Sequence, residues 1–420
     1  MALACVDTHE DHQVQVSHPK LILFTVCLVA LMSTAGVAMP YPILAPIFVN
    51  AAADGFNHFL GLPPKLLLGI ALAANPLGIL IGSTLIGTLS DRLGRKRVLT
   101  GTLLLTFIGY LLTAYALWSR NYPLFALARF MTGLTEGNVA VARAIVADLH
   151  PQLDRTRSFA ILNAVLYLGW LVGPLIGGLT LPLGEAVPFL LAAAAMLLCL
   201  SVLLLFLPET GERLHRDVPL GAVLRSQHSF RLLQADPLLA RLFWMQLSFA
   251  VGVNAFYEFY PLWLVEFAAM GSQGIALVTA AMCVLMTSAS ALVGKLGQRG
   301  DPLALARRQA WWVVGGLLAL TLLGSLPWPG VALIALLGLP LAVYNAVLPS
   351  WCSERFAHLG QGSVMGLLTT IFCVANVLVA LLGSLLTLLD TRLVLLLGAA
   401  ACALAAIRLG GVMRSLPETA

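Results

Sequence analysis

Residues Gly87–Leu99 read GTLSDRLGRKRVL, placing Asp91, Arg92, Arg95, Lys96 and Arg97 within seven residues. Only 10% of the 420-residue chain is charged, and long uncharged apolar runs lie on either side of this stretch. Hydrophobic residues make up 60% of the chain and the mean hydropathy is +0.93. A soluble protein of this length lacks the polar surface to cover so much apolar material, so lipid is the solvent for most of it. The charged stretch then reads as a short link between two membrane helices.

A helix needs about 20 apolar residues to cross the hydrocarbon core. Such runs fall at roughly 21–48, 66–87, 98–118, 123–147, 158–181, 186–207, 241–263, 274–293, 310–326, 331–350, 363–388 and 391–411. That makes twelve, so the expected fold class is an all-α membrane protein. The polar segment 208–240 divides them six and six, which predicts five regions. These are a tail at 1–20, a six-helix bundle at 21–207, a central loop at 208–240, a second bundle at 241–411 and a tail at 412–420. The halves echo each other. FLPET at Phe206–Thr210 returns as SLPET at Ser415–Thr419, and GTLSDR from Gly87 returns as GKLGQR from Gly294, at nearly the same half-chain offset. A duplicated six-helix unit is a transporter architecture, with its site between the halves near mid-membrane.

With the N-terminus inside, nineteen of the 24 Lys and Arg residues fall on inner segments. The outer segments carry only Lys65, Arg120 and Arg392, while Arg129 and Arg143 lie within a span. Both termini are therefore expected in the cytoplasm by the positive-inside rule. The N-terminal tail lacks the basic region of a cleaved signal peptide, so the first run is expected to remain as a span. Seven cysteines show no paired spacing and eight histidines no ligand spacing, so neither a disulfide framework nor a metal site is expected. No phosphate-binding loop, nucleophile–base set or nucleic-acid signature is visible, which argues against ATP as the energy source and against an enzyme.

Topology accounts for the cations of the opening stretch but not for Asp91 or for glycines at 87 and 94. The pattern G-x-L-x-D-R-x-G-R-K-x-x-L is filled at Gly87, Leu89, Asp91, Arg92, Gly94, Arg95, Lys96 and Leu99. In this the sequence resembles the major facilitator superfamily, whose signature between the second and third helices has this form. With twelve spans and a half-chain repeat the resemblance covers nearly the whole chain, and it implies two pseudo-symmetric six-helix bundles. It also implies a cytoplasmic gate at Gly87, Asp91, Arg92, Gly94 and Arg95. Physically, Asp91 would face the positive end of the eleventh helix near Ser363, held by Arg92 or Arg95, or it simply caps its own helix. In the second half Gln298 replaces Asp91 while Arg299 keeps the place of Arg92.

The fourth span holds Arg129, Gly133, Glu136, Gly137 and Arg143. Arg129, Glu136 and Arg143 are seven residues apart each time and so share a helix face. Charges cost about 2.5–3.5 kcal/mol at the bilayer centre on insertion scales, so they are expected to line a cavity or to pair. Glu136 is thus a candidate protonatable carboxylate, and Arg143 either lines the cavity or snorkels to the interface. R-x-x-x-G-x-x-x-G from Arg129 resembles the superfamily's fourth-helix motif and implies a proton-coupling role for Arg129. Gly169, Gly173, Pro174, Gly177 and Gly178 form G-x-x-x-G-P-x-x-G-G, whose glycines at four-residue spacing would make one flat helical face, with a bend invited at the proline. The motif resembles that of proton-coupled exporters in the superfamily and implies export.

In the seventh span Asn254, Tyr257 and Glu258 fall within about one turn, where Glu258 either takes a cation or proton or faces water near the interface. Glu266 is expected to be solvated at the outer end. Pro40 and Pro42 predict an irregular outer half of the first span. Asn345 and Asn376, like Asn75 and Asn163, are ligand contacts or interhelical hydrogen bonds. The resulting expectation is a proton-coupled antiporter of the drug-exporting type in a bacterial-type inner membrane, without cofactor and acting as a single copy. Its proton sits on Glu136 or Glu258, with Arg129 close by. Alternatives are an exporter of an anionic chelator such as a carboxylate siderophore, an uptake symporter, or a non-transporting receptor.

Overall fold

The computed structural model describes residues 18–149, 152–208, 236–296, 301–323, 326–356 and 361–415, and every regular element among them is helical. Most of the two tails, most of the central segment, and Gln298 and Arg299 lie outside the described residues. So do the side chains of Gly87 and Asp91.

The first span is α1 (Pro19–Ala38), a turn at Met39 and Pro40, α2 (Tyr41–Ala45) and a π-helical turn at Pro46–Asn50. Pro40, Pro42 and Pro46 remove backbone donors, and the outer half is broken as the prolines predict. The chain continues through α3 (Pro64–Leu93), α4 (Arg95–Trp118), α5 (Tyr122–Thr135), α6 (Asn138–Asp148), α7 (Arg155–Thr180) and α8 (Val187–Phe206). The second half comprises α9 (Pro237–Ala268), α10 (Ser272–Leu296), α11 (Pro302–Leu322), α12 (Pro327–Arg355), α13 (Gln361–Thr387) and α14 (Thr391–Ser415).

Among the described residues, ten helical stretches are long and apolar enough to cross a bilayer unaided. The other two crossings are α11, whose first turns carry Arg307 and Arg308, and the α5–α6 pair. The fourth span is not the continuous helix expected from its apolar run, because it breaks at Glu136 and Gly137. Large apolar side chains point outward, with Leu205 76% and Leu322 81% exposed, as lipid-facing positions must.

In one bundle α1 packs on α7 and α8, α3 on α5, and α4 on α5 and α8. In the other, α9 packs on α13 and α14, α10 on α12, and α11 on α12 and α14. The bundles meet where α3 lies against α13 and α7 against α10. These are spans two and eleven, and five and eight, so the half-chain repeat exchanges one seam for the other. Such close seams need small residues. A Cβ on Gly69 would come within 2.2 Å of Ser384, and one on Gly178 within 2.4 Å of Ala276.

An even number of crossings puts Pro19 and Ser415 on one face, here the near face. On the far face Lys65 Nζ at the start of α3 lies 2.6 Å from Glu266 Oε1 at the end of α9, and it donates to the Thr387 carbonyl at 2.9 Å. Glu266 is thus a partner in an ion pair between the bundles and not the freely solvated group expected.

The charged link is shorter than the apolar runs suggest. α3 continues past Gly87 to Leu93, α4 begins at Arg95, and Gly94 alone separates them. Its φ of 99° is open to glycine and strained for other residues.

Candidate functional site

α3 and α5 approach closely because glycines on each face the other's backbone. A Cβ on Gly133 would meet the Asn75 carbonyl at 2.1 Å, and one on Gly82 the Leu134 carbonyl at 2.0 Å. This approach carries Asn75 of α3 to the end of α5. There Asn75 Nδ2 donates to Glu136 Oε2 at 2.7 Å, while the Tyr110 hydroxyl of α4 donates to Glu136 Oε1 at 2.6 Å. The Glu136 N–H bonds back to Thr132 and Gly133 carbonyls, closing α5. Glu136 therefore sits at a helix break with both carboxylate oxygens bonded.

Tyr110 reaches this point because α1 leaves room: a Cβ on Gly36 would stand 2.1 Å from its hydroxyl. Two more polar contacts continue along the same face of α4. Thr106 Oγ1 lies 2.7 Å from Thr135 Oγ1, and Thr102 donates to Asn138 Oδ1 at 2.5 Å. Thr102, Thr106 and Tyr110 recur every four residues, a helical-face signal that the sequence reading passed over.

Arg129 is 3% exposed, and its Nε and Nη1 have no hydrogen-bond partner. Of the two outcomes its spacing with Glu136 allowed, Arg129 lines the cavity and makes no ion pair with Glu136, whose close donors are Asn75 and Tyr110. The break at Glu136 and Gly137 also ends the shared helical face, leaving Arg143 on α6, half-buried and away from the cavity described next.

That cavity has a volume of about 40 Å³ and lies between the bundles, room for roughly three waters. Its wall includes Tyr41, Asn75, Arg129, Trp170, Phe372 and Asn376. Asn75 thus touches both the cavity and Glu136, whereas Glu136 itself stands behind the wall. Asn376 Nδ2 donates to Asn254 Oδ1 at 3.5 Å, and Asn376 Oδ1 has no partner.

Glu258 lies one turn beyond Asn254 on α9 and is 3% exposed, so it is not the water-facing group that one reading allowed. Neither of its carboxyl oxygens has a hydrogen-bond partner. Tyr41, on the cavity wall, lies within electrostatic reach of both unpartnered groups, Glu258 and Arg129. Tyr257 turns to Met286, with its hydroxyl 3.8 Å from the sulfur. Asn345 is half-buried in α12 and does not line the cavity.

The exporter-type glycines at four-residue spacing share one face, and the adjacent Gly178 serves another. Gly169, Gly173 and Gly177 pack on Thr34, Ala35 and Met39 of the first span, whereas Gly178 packs on α10 in the other bundle. Helix α7 runs unbroken through Pro174. At the gate, Arg95 reaches Asp148 of α6 at 3.2 Å and Ser90 at 3.0 Å, and Arg92 is half-buried. Any contact from Asp91 to α13 falls outside the described side chains.

This arrangement of two helical bundles around a polar seam defines a membrane transporter, and the chain belongs to the Major Facilitator Superfamily, whose family model matches residues 23–379. It is a multi-pass membrane protein of that transporter superfamily. It is 27% identical over 356 residues to the class E tetracycline resistance protein of Escherichia coli, a match covering 80% of each chain. It is 28% identical over 195 residues to the class H tetracycline resistance protein of Pasteurella multocida, spanning 46% of this chain and 45% of that one. The chain thus matches less than half the length of that relative. A solved D-xylose–proton symporter superposes with a TM-score of 0.75 at 19% identity, covering 96% of this chain and 99% of that one. At that identity the likeness shows the fold alone.

Proposed function

We propose that this chain is a proton-coupled exporter of a small drug-like molecule or metabolite, working by alternating access. The bundles rock about the seam, and the cavity opens in turn to each side. The observation that carries this reading is Glu258, a buried carboxyl at the seam with no partner on either oxygen. Such a group is costly while charged and neutral when it holds a proton. It therefore has a reason to exchange its proton with whatever enters the seam.

Glu136 has a different part. Its oxygens hold Asn75 and Tyr110, so it orients the wall that presents Arg129 to the cavity. The gate is the Gly87–Arg95 turn on the near face, and the Lys65–Glu266 pair closes the far face. Export is supported by the glycine–proline motif in α7 and by similarity to tetracycline resistance proteins. The cation distribution supports an inner-membrane protein with its termini and near face in the cytoplasm. The two bundles are 21–207 and 241–411.

Everted membrane vesicles acidified by respiration test this. Tetracyclines and other amphiphiles are added one by one while internal pH is followed. A substrate that dissipates the gradient through the native chain but not through Glu258→Gln supports proton-coupled export. Dissipation that survives in Glu258→Gln removes that carboxyl from the mechanism. Accumulation of the compound in intact cells, driven by the proton gradient, reverses the direction.

A further inference from the structure

The cations of the molecule divide by what neutralises them. On the far face Lys65 pairs with Glu266, Arg120 with Asp54 and Glu185, and Arg392 with Asp390. At the near end of the second bundle, none of Arg241, Arg307, Arg308, Arg408 and Arg414 meets a carboxylate among the described residues. The described carboxylates on this side of the bundle, Asp236 and Asp301, cap the N-termini of α9 and α11. Three of the arginines surround one stretch of α14. Leu404, Ile407, Arg408, Gly411 and Arg414 are exposed at three- and four-residue spacing, which makes one lipid-facing stripe. A Cβ on Gly411 would meet nothing within 4 Å, so the stripe dips to backbone between Arg408 and Arg414. Arg307 crosses from α11 onto the adjoining Gly410. A Cβ there would stand 2.8 Å from Arg307 Cζ, and Arg307 Nε is buried without a partner. Arg408 is held from the other side, its Nη1 donating to the Trp244 carbonyl and to Ser248 Oγ of α9, each at 3.1 Å. Its remaining N–H donors meet no acceptor among the described residues. Trp244 and Trp311 are exposed on the two helices that pack against α14.

Arg408 stands about two turns inside the end of α14, on a surface otherwise made of leucine and isoleucine. A cation at such a place either snorkels to water or finds an anion. Its bonds to α9 hold this one in place. The bilayer itself supplies an anion at this level, the headgroup phosphate, and guanidinium groups bind phosphate through paired hydrogen bonds. Exposed tryptophans mark the headgroup level, and basic pockets between membrane helices suit lipid phosphates. We propose that the Gly410–Gly411 notch of α14 binds an anionic phospholipid. Its phosphate rests over Gly411 between Arg408 and Arg414, with Arg307 alongside, and its acyl chains run along Ile407 and Leu404. A zwitterionic headgroup brings an ammonium that the arginines repel, so the site prefers phosphatidylglycerol to phosphatidylcholine. The lipid ties α9, through Arg408, and α11, through Arg307, to the helix between them. Neither the transported substrate nor the direction of transport enters this inference.

Native mass spectrometry of the purified full-length protein, titrated with phosphatidylglycerol and phosphatidylcholine of the same acyl chains, tests this. The native chain is expected to bind the first phosphatidylglycerol at least about tenfold more tightly than phosphatidylcholine. Arg307→Gln, Arg408→Gln and Arg414→Gln should each weaken it about fivefold, the share of one arginine near a charged lipid surface. Arg308→Gln removes the same charge from the same face outside the notch and should leave the preference in place. Gly411→Leu fills the notch without changing charge, at an exposed position where leucine is the better helix former, and should erase the preference. Bound lipid stabilises the fold by mass action. Phosphatidylglycerol should therefore raise the unfolding temperature of the native chain and not that of Gly411→Leu. Equal affinity for the two lipids, or unchanged selectivity in Gly411→Leu, overturns the proposal. So does a loss in Arg308→Gln as large as in the other three, which would spread the attraction over the whole basic face. Inorganic phosphate is added as a competitor, and displacement of the lipid at millimolar concentration would make the site one for the free anion and overturn the lipid assignment.

Discussion

Glu136 and Glu258 are both carboxyls within apolar helices, 5% and 3% exposed, yet their surroundings are opposite. Glu136 sits at a break in the fourth span with one donor on each oxygen, at 2.7 and 2.6 Å. Glu258 lies within an unbroken helix with none. Removing Glu136's charge means disturbing two hydrogen bonds and the wall they hold, while removing Glu258's charge disturbs nothing the structure shows. Depth in the membrane identifies an expensive residue, and its partners separate a structural carboxyl from one free to exchange.

The largest expected effect follows from that contrast. Glu258→Gln should abolish substrate-driven proton movement while leaving expression and elution in detergent unchanged. Glu136→Gln, measured in the same vesicles, should retain most of the movement. Equal losses would erase the distinction between the two carboxyls.

Stability should reverse the order. Glu136→Ala removes the acceptor of the Tyr110 hydroxyl and leaves the Asn75 amide only its 3.4 Å contacts to the Arg129 carbonyl and Thr132 Oγ1, at about 1–3 kcal/mol for a buried unsatisfied group. Thermal unfolding in detergent should fall clearly for Glu136→Ala and scarcely for Glu258→Ala.

A third variant sharpens the role of Tyr110. Gly36→Ala pushes a methyl against its hydroxyl, 2.1 Å away, and overpacking of this kind costs about 1–3 kcal/mol. Tyr110→Phe in the same chain removes the clashing oxygen, so the double variant should unfold closer to Tyr110→Phe alone than additivity allows. Additive losses would place the Gly36 effect elsewhere.

The smallest effect belongs to the far-face clamp. Lys65 and Glu266 retain 27% and 20% side-chain exposure, and partly exposed pairs contribute about 0.2–1 kcal/mol. Lys65→Ala should shift the resting population modestly toward a far-face-open form, read by spin-label distances across the seam. The shift should shrink in high salt, and Glu266→Ala should add little to it.

The architecture was largely readable in the chain because lipid imposes length and apolarity on every crossing. The twelve runs, the half-chain echo and the prolines of the first span all follow from that constraint. The site was less readable. Arg129 and Glu136 share a face only while the helix is continuous, and Gly137 sits just where Glu136 can end α5. The four-residue spacing of Gly169, Gly173 and Gly177 gave their shared face, but nothing local told that Gly178, one residue on, meets the other bundle. Tyr110 went unnoticed because its meaning depends on Gly36, a contact between the first and third spans that no local pattern encodes. Glu266 looked solvated because its partner Lys65 lies some 200 residues away in the chain.

The most direct test of the central claim is proton release from the purified transporter in weak buffer when a tetracycline is added. The account predicts release from the native protein and from Glu136→Gln, and none from Glu258→Gln. Release that persists in Glu258→Gln and disappears in Glu136→Gln would contradict it, and would put the exchanging proton on the carboxyl that the structure holds with two hydrogen bonds.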